Sequence, residues 1–229
     1  MRQTAKRAFF DTVPVMTGYL VLGFGFGIVL YANGFGLLTA FLMSGLIYAG
    51  SMQYAAIGLL TGGASFLTAA LTTLMVNARH IFYGISMLER YRGVGRRKAY
   101  LIFALTDETY SLVCRDGKGV APERQRDYAL LVSLFDHVYW VTGSLFGALV
   151  GKLVQFDSRG IDFALTALFL TVFVEQWLSM KNHLPALVGV LGSAACLIIF
   201  GSEGFLIPAM LVITLFLLLK REEEEDGLA

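Results

Sequence analysis

The chain has 229 residues, 56% of them hydrophobic and only 15% charged, where a soluble domain carries roughly a quarter. Lys and Arg (18) nearly balance Asp and Glu (17), a net charge of +1, so no basic surface points to nucleic acid. Cys114 and Cys196 are too few for a disulfide framework, and His80, His137 and His183 lack metal-ligand spacing, so no metal or other cofactor is expected.

Charges gather in short segments between long apolar runs, the pattern of an all-α polytopic integral membrane protein. Three basic residues precede the first run without a short-residue cleavage site, so this is read as a retained span. That span covers residues 13–32, with Pro14 near the helix start and Gly23 and Gly27 four apart on a close-packing face. Asn33-Gly34 makes a turn. Residues 35–60 follow, centred on Tyr48-Ala-Gly-Ser-Met-Gln-Tyr54. Gly50 and Ser51 are poor helix formers, and Gln53 has an amide to satisfy. The stretch reads either as a Gly/Ser helix-packing face or as a helix broken at mid-membrane. Freed N–H and C=O groups at such a break can hold a small polar solute.

Thr61-Gly62-Gly63 closes this segment. Residues 64–87 are apolar around Asn77, Arg79 and His80, and residues 89–98 form a basic loop. Residues 99–114 are apolar except for Thr106-Asp-Glu-Thr109, and 115–127 are a mixed-charge connection. Apolar runs at 128–151, 161–180, 184–201 and 205–219 complete the chain. The organisation expected is a first transmembrane repeat with its cytoplasmic basic loop (1–98), a connecting span and loop (99–127), a second repeat (128–221) and an acidic disordered tail (222–229).

Arg2, Lys6 and Arg7 place the N-terminus in the cytoplasm, and the basic loop belongs on the same side. An even number of crossings must separate them, which a re-entrant hairpin at 35–60 supplies. The chain also matches itself at an offset of 120: Tyr19, Val21, Gly23, Phe26 and Gly27 align with Tyr139, Val141, Gly143, Phe146 and Gly147. Slightly later, Gln53-Tyr54 faces Gln176-Trp177. If 99–114 crosses the membrane, the second repeat is inverted, and a site at the repeat interface is expected.

Within apolar surroundings lie Arg79, Asp107, Glu108, Asp136 and Glu175. A charge at the bilayer centre costs at least about 2.5–3.5 kcal/mol, so each needs a reason to be there. Arg79, Glu108 and Glu175 can snorkel near helix ends, whereas Asp107 and Asp136 have apolar residues on both sides. Asp107 is assigned to the interior and Glu108 to its rim. Asn77 and His80 share a helix face at i, i+3 and read most simply as a structural pair.

The combination Tyr48-Ala-Gly-Ser-Met-Gln53, Asn77-Ala-Arg-His80 and Thr106-Asp-Glu108 resembles the AzlC family of branched-chain amino acid permeases. The likeness runs from the first span onward and leaves out the tail after Arg221. It implies the large subunit of an exporter in the inner (plasma) membrane, acting with a small hydrophobic subunit of the AzlD type. On this reading Gly50, Ser51, Gln53, Asn77, Arg79 and Gln176 bind substrate, and Asp107, Glu108, Asp136 and Glu175 are candidates for proton coupling. No nucleotide-binding motif is present, so ATP drive would need another chain. The alternatives are an intramembrane hydrolase, from Ser51 with His80 or Asp107 with Asp136, and a channel.

Overall fold

Among the described residues three helical stretches are long and apolar enough to cross a membrane: Arg2–Ala32, Pro122–Leu153 and Leu184–Gly201. The structure is a computed structural model that describes residues 2–154, 170, 173–174, 177–178, 183–205, 208–209 and 211–216. It divides into two units, residues 1–165 and 166–229, and the described residues contain helices and no strand.

In the first unit, α1 (Arg2–Ala32) starts well before residue 13, so Pro14 lies inside the helix rather than near its start. Its missing N–H costs one ladder bond there. α7 (Gln125–Leu153) lies alongside α1. A Cβ on Gly23 would stand 3.0 Å from the Trp140 carbonyl oxygen, and one on Gly143 2.9 Å from that of Leu20. Further along, Gly27 meets Ser144, Gly147 meets Phe24, and Gly151 lies against Tyr31. Phe9 and Phe135 touch near the other end. The residue numbers rise together along both helices, so α1 and α7 run parallel. The matched segments 19–27 and 139–147 therefore point the same way, whereas an inverted repeat requires them opposed. The expected inversion does not hold for these helices.

The cause lies in residues 99–114, which are not one crossing span. They form α5 (Arg97–Phe103) and α6 (Asp107–Val113), seven residues each, or about 10 Å of helix. Thr106 stands at the break as N-cap, accepting from the Thr109 amide at 3.2 Å. Leu101 of α5 and Val113 of α6 are buried in the same cluster as Ala8, Met87, Tyr91 and Tyr128. Both halves thus return to the end where α1 and α7 begin.

The other interrupted stretch comprises α2 (Leu37–Leu42), a π-helical turn at Met43–Ile47, and α3 (Gly50–Thr61). Between them Tyr48 is left-handed (φ 47°, ψ 45°), and Ala49 is also non-helical (φ −132°, ψ 83°). A bulky residue at φ > 0 costs about 1–3 kcal/mol and persists only where packing fixes it. Tyr48 is buried against His137 (ring centroids 4.3 Å), Tyr19 and Phe103. α3 then passes Trp140 at Gly50 and reaches the Leu22 carbonyl at Tyr54, climbing toward the C-terminal ends of α1 and α7. Gly63 (φ 63°) turns the chain into α4 (Phe66–Ser86), which Ser65 caps and which ends at buried Met87.

In the second unit, α8 (Leu184–Gly204) is interrupted at Gly201 (φ 72°), and Gly192 lies against Ile213. Gln176, Glu175, most of residues 161–180 and the acidic tail lie outside the described residues, as do the expectations placed on them.

Candidate functional site

The two helix breaks meet around one arginine. α3 begins at Gly50 without a side-chain cap, and its first backbone bond is Gln53 N–H to the Ala49 carbonyl (2.8 Å). The N–H groups of Gly50, Ser51 and Met52 therefore have no partner within the helix and give this end a partial positive charge. Arg79, on α4, donates from Nη2 to Ser51 Oγ at 3.4 Å. Its Nη1 lies 2.6 Å from Asp107 Oδ2, in the first turn of α6. The two side chains are 39% and 35% exposed, so the pair is accessible to a competing ligand.

Beside this bridge is a groove of about 470 Å³ between α4, α5 and the first break. Tyr48, Asn77 and His80 are its lining residues with polar groups, and Ile81, Ile85 and Ile102 form much of its apolar wall. A charged bridge next to an aliphatic wall can take a small solute bearing charges at one end and a hydrocarbon at the other.

A second polar group runs from exposed Glu108 to a fully buried carboxylate. Tyr19 donates to Glu108 Oε2 (2.7 Å) and shares a hydrogen bond with Thr106 Oγ1 (2.5 Å). Thr106 donates to Thr109 Oγ1 (3.1 Å), and Thr109 donates to Asp136 Oδ2 (2.8 Å). Asp136 is 0% exposed and has no cation within ion-pair distance among the described residues.

The sequence-derived candidates separate accordingly. Ser51, Arg79 and Asp107 come together, with Gly50 at the same helix start and Asn77 in the groove. Asn77 and His80 both line that groove, with no hydrogen bond between them. Gln53 is fully buried and braces the break: Nε2 donates to Ser44 Oγ (3.3 Å), and Oε1 accepts from Trp140 Nε1 (2.9 Å). Asp107 and Glu108 are first-turn residues of α6, where carboxylates favour the helix dipole, not residues at the middle of a span. The enclosed carboxylate is Asp136. Ser51 bonds Arg79 rather than His80, and Asp107 and Asp136 have separate partners, so neither hydrolase constellation forms.

Tyr19, Thr109 and His137 are not among the site residues expected from the sequence. His137 holds the π-turn through the Ser44 carbonyl (3.2 Å) and lies 3.2 Å from the Tyr100 hydroxyl. Thr106-Asp-Glu is a helix N-cap signature, and reading it so places the second break without a structure.

The sequence profile described as AzlC protein matches residues 14–154. The branched-chain amino acid transport protein AzlC of Bacillus subtilis is 43% identical over 208 residues, covering 91% of this chain and 82% of that protein. An uncharacterized membrane protein of Haemophilus influenzae is 42% identical over 228 residues, covering 99% and 93%. The inner membrane protein YgaZ of Escherichia coli is 28% identical over 198 residues, covering 83% and 80%. No solved structure matches.

Proposed function

The chain belongs to the AzlC family, and from that premise we propose that it is a proton-coupled exporter of branched-chain amino acids. It is a membrane transporter, not an enzyme, and acts as the large subunit of a two-component permease with a small hydrophobic AzlD-type partner. The substrate class is supported by the name of the Bacillus relative; direction and partner follow from the family resemblance, and proton drive from carboxylates placed in apolar surroundings.

In this reading the N-terminus is cytoplasmic and the membrane is the inner (plasma) membrane. Residues 37–61 enter and leave from the outer side, α4 returns to the cytoplasm, and α5–α6 enters and leaves from there. The parallel course of α1 and α7 supports this path, since it requires an odd number of crossings between them, which α4 alone supplies. A parallel internal repeat, with α7 corresponding to α1, is the form of duplication that fits.

The observation that carries a substrate site is the Arg79 bridge between Ser51 and Asp107 beside an aliphatic groove. A zwitterion can replace the bridge end for end. Its carboxylate takes Arg79 and the α3 N–H groups at Gly50 and Ser51, its ammonium takes Asp107, Asn77 adds an amide, and the side chain enters the groove. Gln53 shapes the site without facing the substrate. Labelled-leucine counterflow in proteoliposomes holding the full chain, with and without a co-encoded small subunit, tests the function. Exchange of unlabelled leucine for labelled leucine is expected, and its absence in both preparations refutes carrier function.

A further inference from the structure

Glu108 and Asp136 are joined by three hydroxyls in series, Tyr19, Thr106 and Thr109, through four short contacts of 2.7, 2.5, 3.1 and 2.8 Å. Three hydroxyls supply three hydrogens, but the series has four links. With Tyr19 donating to Glu108, Thr106 to Thr109 and Thr109 to Asp136, no hydrogen remains for the Tyr19–Thr106 contact. Two buried hydroxyl oxygens in contact with no hydrogen between them repel. One more proton, carried by the carboxyl group at either end, fills all four links.

We propose that this series is a proton wire carrying one excess proton between Asp136 and Glu108. With the proton on Asp136, every bond points outward: Asp136 donates to Thr109, Thr109 to Thr106, Thr106 to Tyr19, and Tyr19 to the Glu108 carboxylate. With the proton on Glu108, every bond points back toward the Asp136 carboxylate. Passage between the two states moves four hydrogens, one across each link, breaking and forming one O–H bond at each hydroxyl. One proton is transferred in net terms, and no other reactant is needed.

The two ends lie in different surroundings. Asp136 is sealed: Tyr48 from the first break, Tyr100 from α5, and Tyr128 on its own helix are the titratable groups around it, apart from Glu108 at the far end. His137 follows it on α7 and bonds Ser44 and Tyr100. With no cation near, an ionised Asp136 is costly, so the excess proton rests there while the surroundings stay closed. Glu108 is exposed and lies among Arg79, His80 and Tyr83 of α4 and its neighbour Asp107. It therefore senses whether Asp107 is held by Arg79 or by a bound ammonium. This assignment rests on the transport reading, and the wire supplies its proton coupling: substrate at the Arg79 bridge changes the field at Glu108, and the proton position at Asp136 follows.

The test uses the full-length protein in lipid, with Thr109→Val to cut the wire isosterically and Thr109→Ser to restore its hydroxyl. Tyr19→Phe is a second, independent cut. Infrared difference spectroscopy should show a protonated carboxyl band in the wild type that Asp136→Asn removes. Leucine accumulation driven by an imposed pH gradient should fall at least about tenfold in Thr109→Val and Tyr19→Phe and return in Thr109→Ser, while counterflow persists. Gradient-driven accumulation unchanged in both cut variants, or a wild type without a carboxyl band assignable to Asp136 or Glu108, overturns the wire. Counterflow absent from the wild type refutes the transport reading alone, since the carboxyl band is measured without it.

Discussion

Gly27 of α1 and Gly147 of α7 leave no room for a side chain: a Cβ on Gly27 would strike the Ser144 carbonyl oxygen, and one on Gly147 that of Phe24. In lipid there is little hydrophobic drive between helices, so such backbone approach holds the pair together. Gly147→Ala must therefore push α7 off α1. The expected outcome is a loss of about 1–3 kcal/mol, seen as lower thermal stability in detergent and lower membrane abundance. Gly18, with nothing within 4 Å of a Cβ, is the control, and Gly18→Ala should leave both unchanged. Equal melting temperatures for the two variants would show that the approach is not what holds the helices.

The same glycines were visible in the sequence as matched spacings, and they mark the pairing of α1 with α7. Their relative direction was not visible, because it depends on how many intervening segments cross. Residues 99–114 are apolar enough to be read as one span, and the Thr106 cap, with a length of only about 24 Å as helix, tells otherwise. At the site, the sequence marks Arg79 and Asp107 as charges that need partners, but nothing in their spacing pairs them, since α4 and α6 meet only in the fold. Gln53 reads in the sequence only as an amide that must bond something, ligand or protein; what it bonds, Ser44 and Trp140, lies 9 and 87 residues away.

Topology gives a direct check on the two interrupted stretches. In a background of Cys114→Ser and Cys196→Ala, single cysteines at Asn33 and Gly62 should both react with an impermeant thiol reagent added outside. Cysteines at Arg92 and Lys118 should react only after the membrane is opened. Labelling of Asn33 and Gly62 from opposite sides would make residues 37–61 a full span and exclude the paired re-entrant path.

Tyr91, in the turn between α4 and α5, is 1% exposed, and its hydroxyl has no hydrogen-bond partner among the described residues. Burial pushes its pKa up to about 12, with Arg90 opposing. An unfolded tyrosine titrates near 10, so between about pH 10 and 12 the unfolded chain loses a proton that the folded chain keeps. Stability attached to Tyr91 is thus complete below pH 10 and falls as the pH rises toward 12. Tyr91→Phe should remove that part of the alkaline decline in melting temperature. At pH 7 it should cost nothing, because no hydrogen bond is lost. Identical alkaline melting profiles would show that Tyr91 does not titrate with unfolding.

The Arg79–Asp107 pair makes separate demands on stability and on binding. Removing one partner leaves the other charge uncompensated in a half-buried site, so Arg79→Gln and Asp107→Asn should each lower the melting temperature. The double variant leaves no lone charge and should recover much of that loss. Leucine exchange should behave differently. If the substrate's ammonium and carboxylate take the places of the two charges, each single variant weakens apparent affinity by about tenfold or more, equivalent to about 1.4 kcal/mol, and the double variant does not recover it. Arg79→Lys should also fail, since one ammonium cannot reach Ser51 and Asp107 together as the guanidinium fork does. Isovalerate and isoamylamine, each keeping the branched chain but only one charge, should compete poorly with leucine. A double variant that is stable and exchanges leucine with wild-type affinity would show that the pair is a structural strut and that the substrate's charges are met elsewhere.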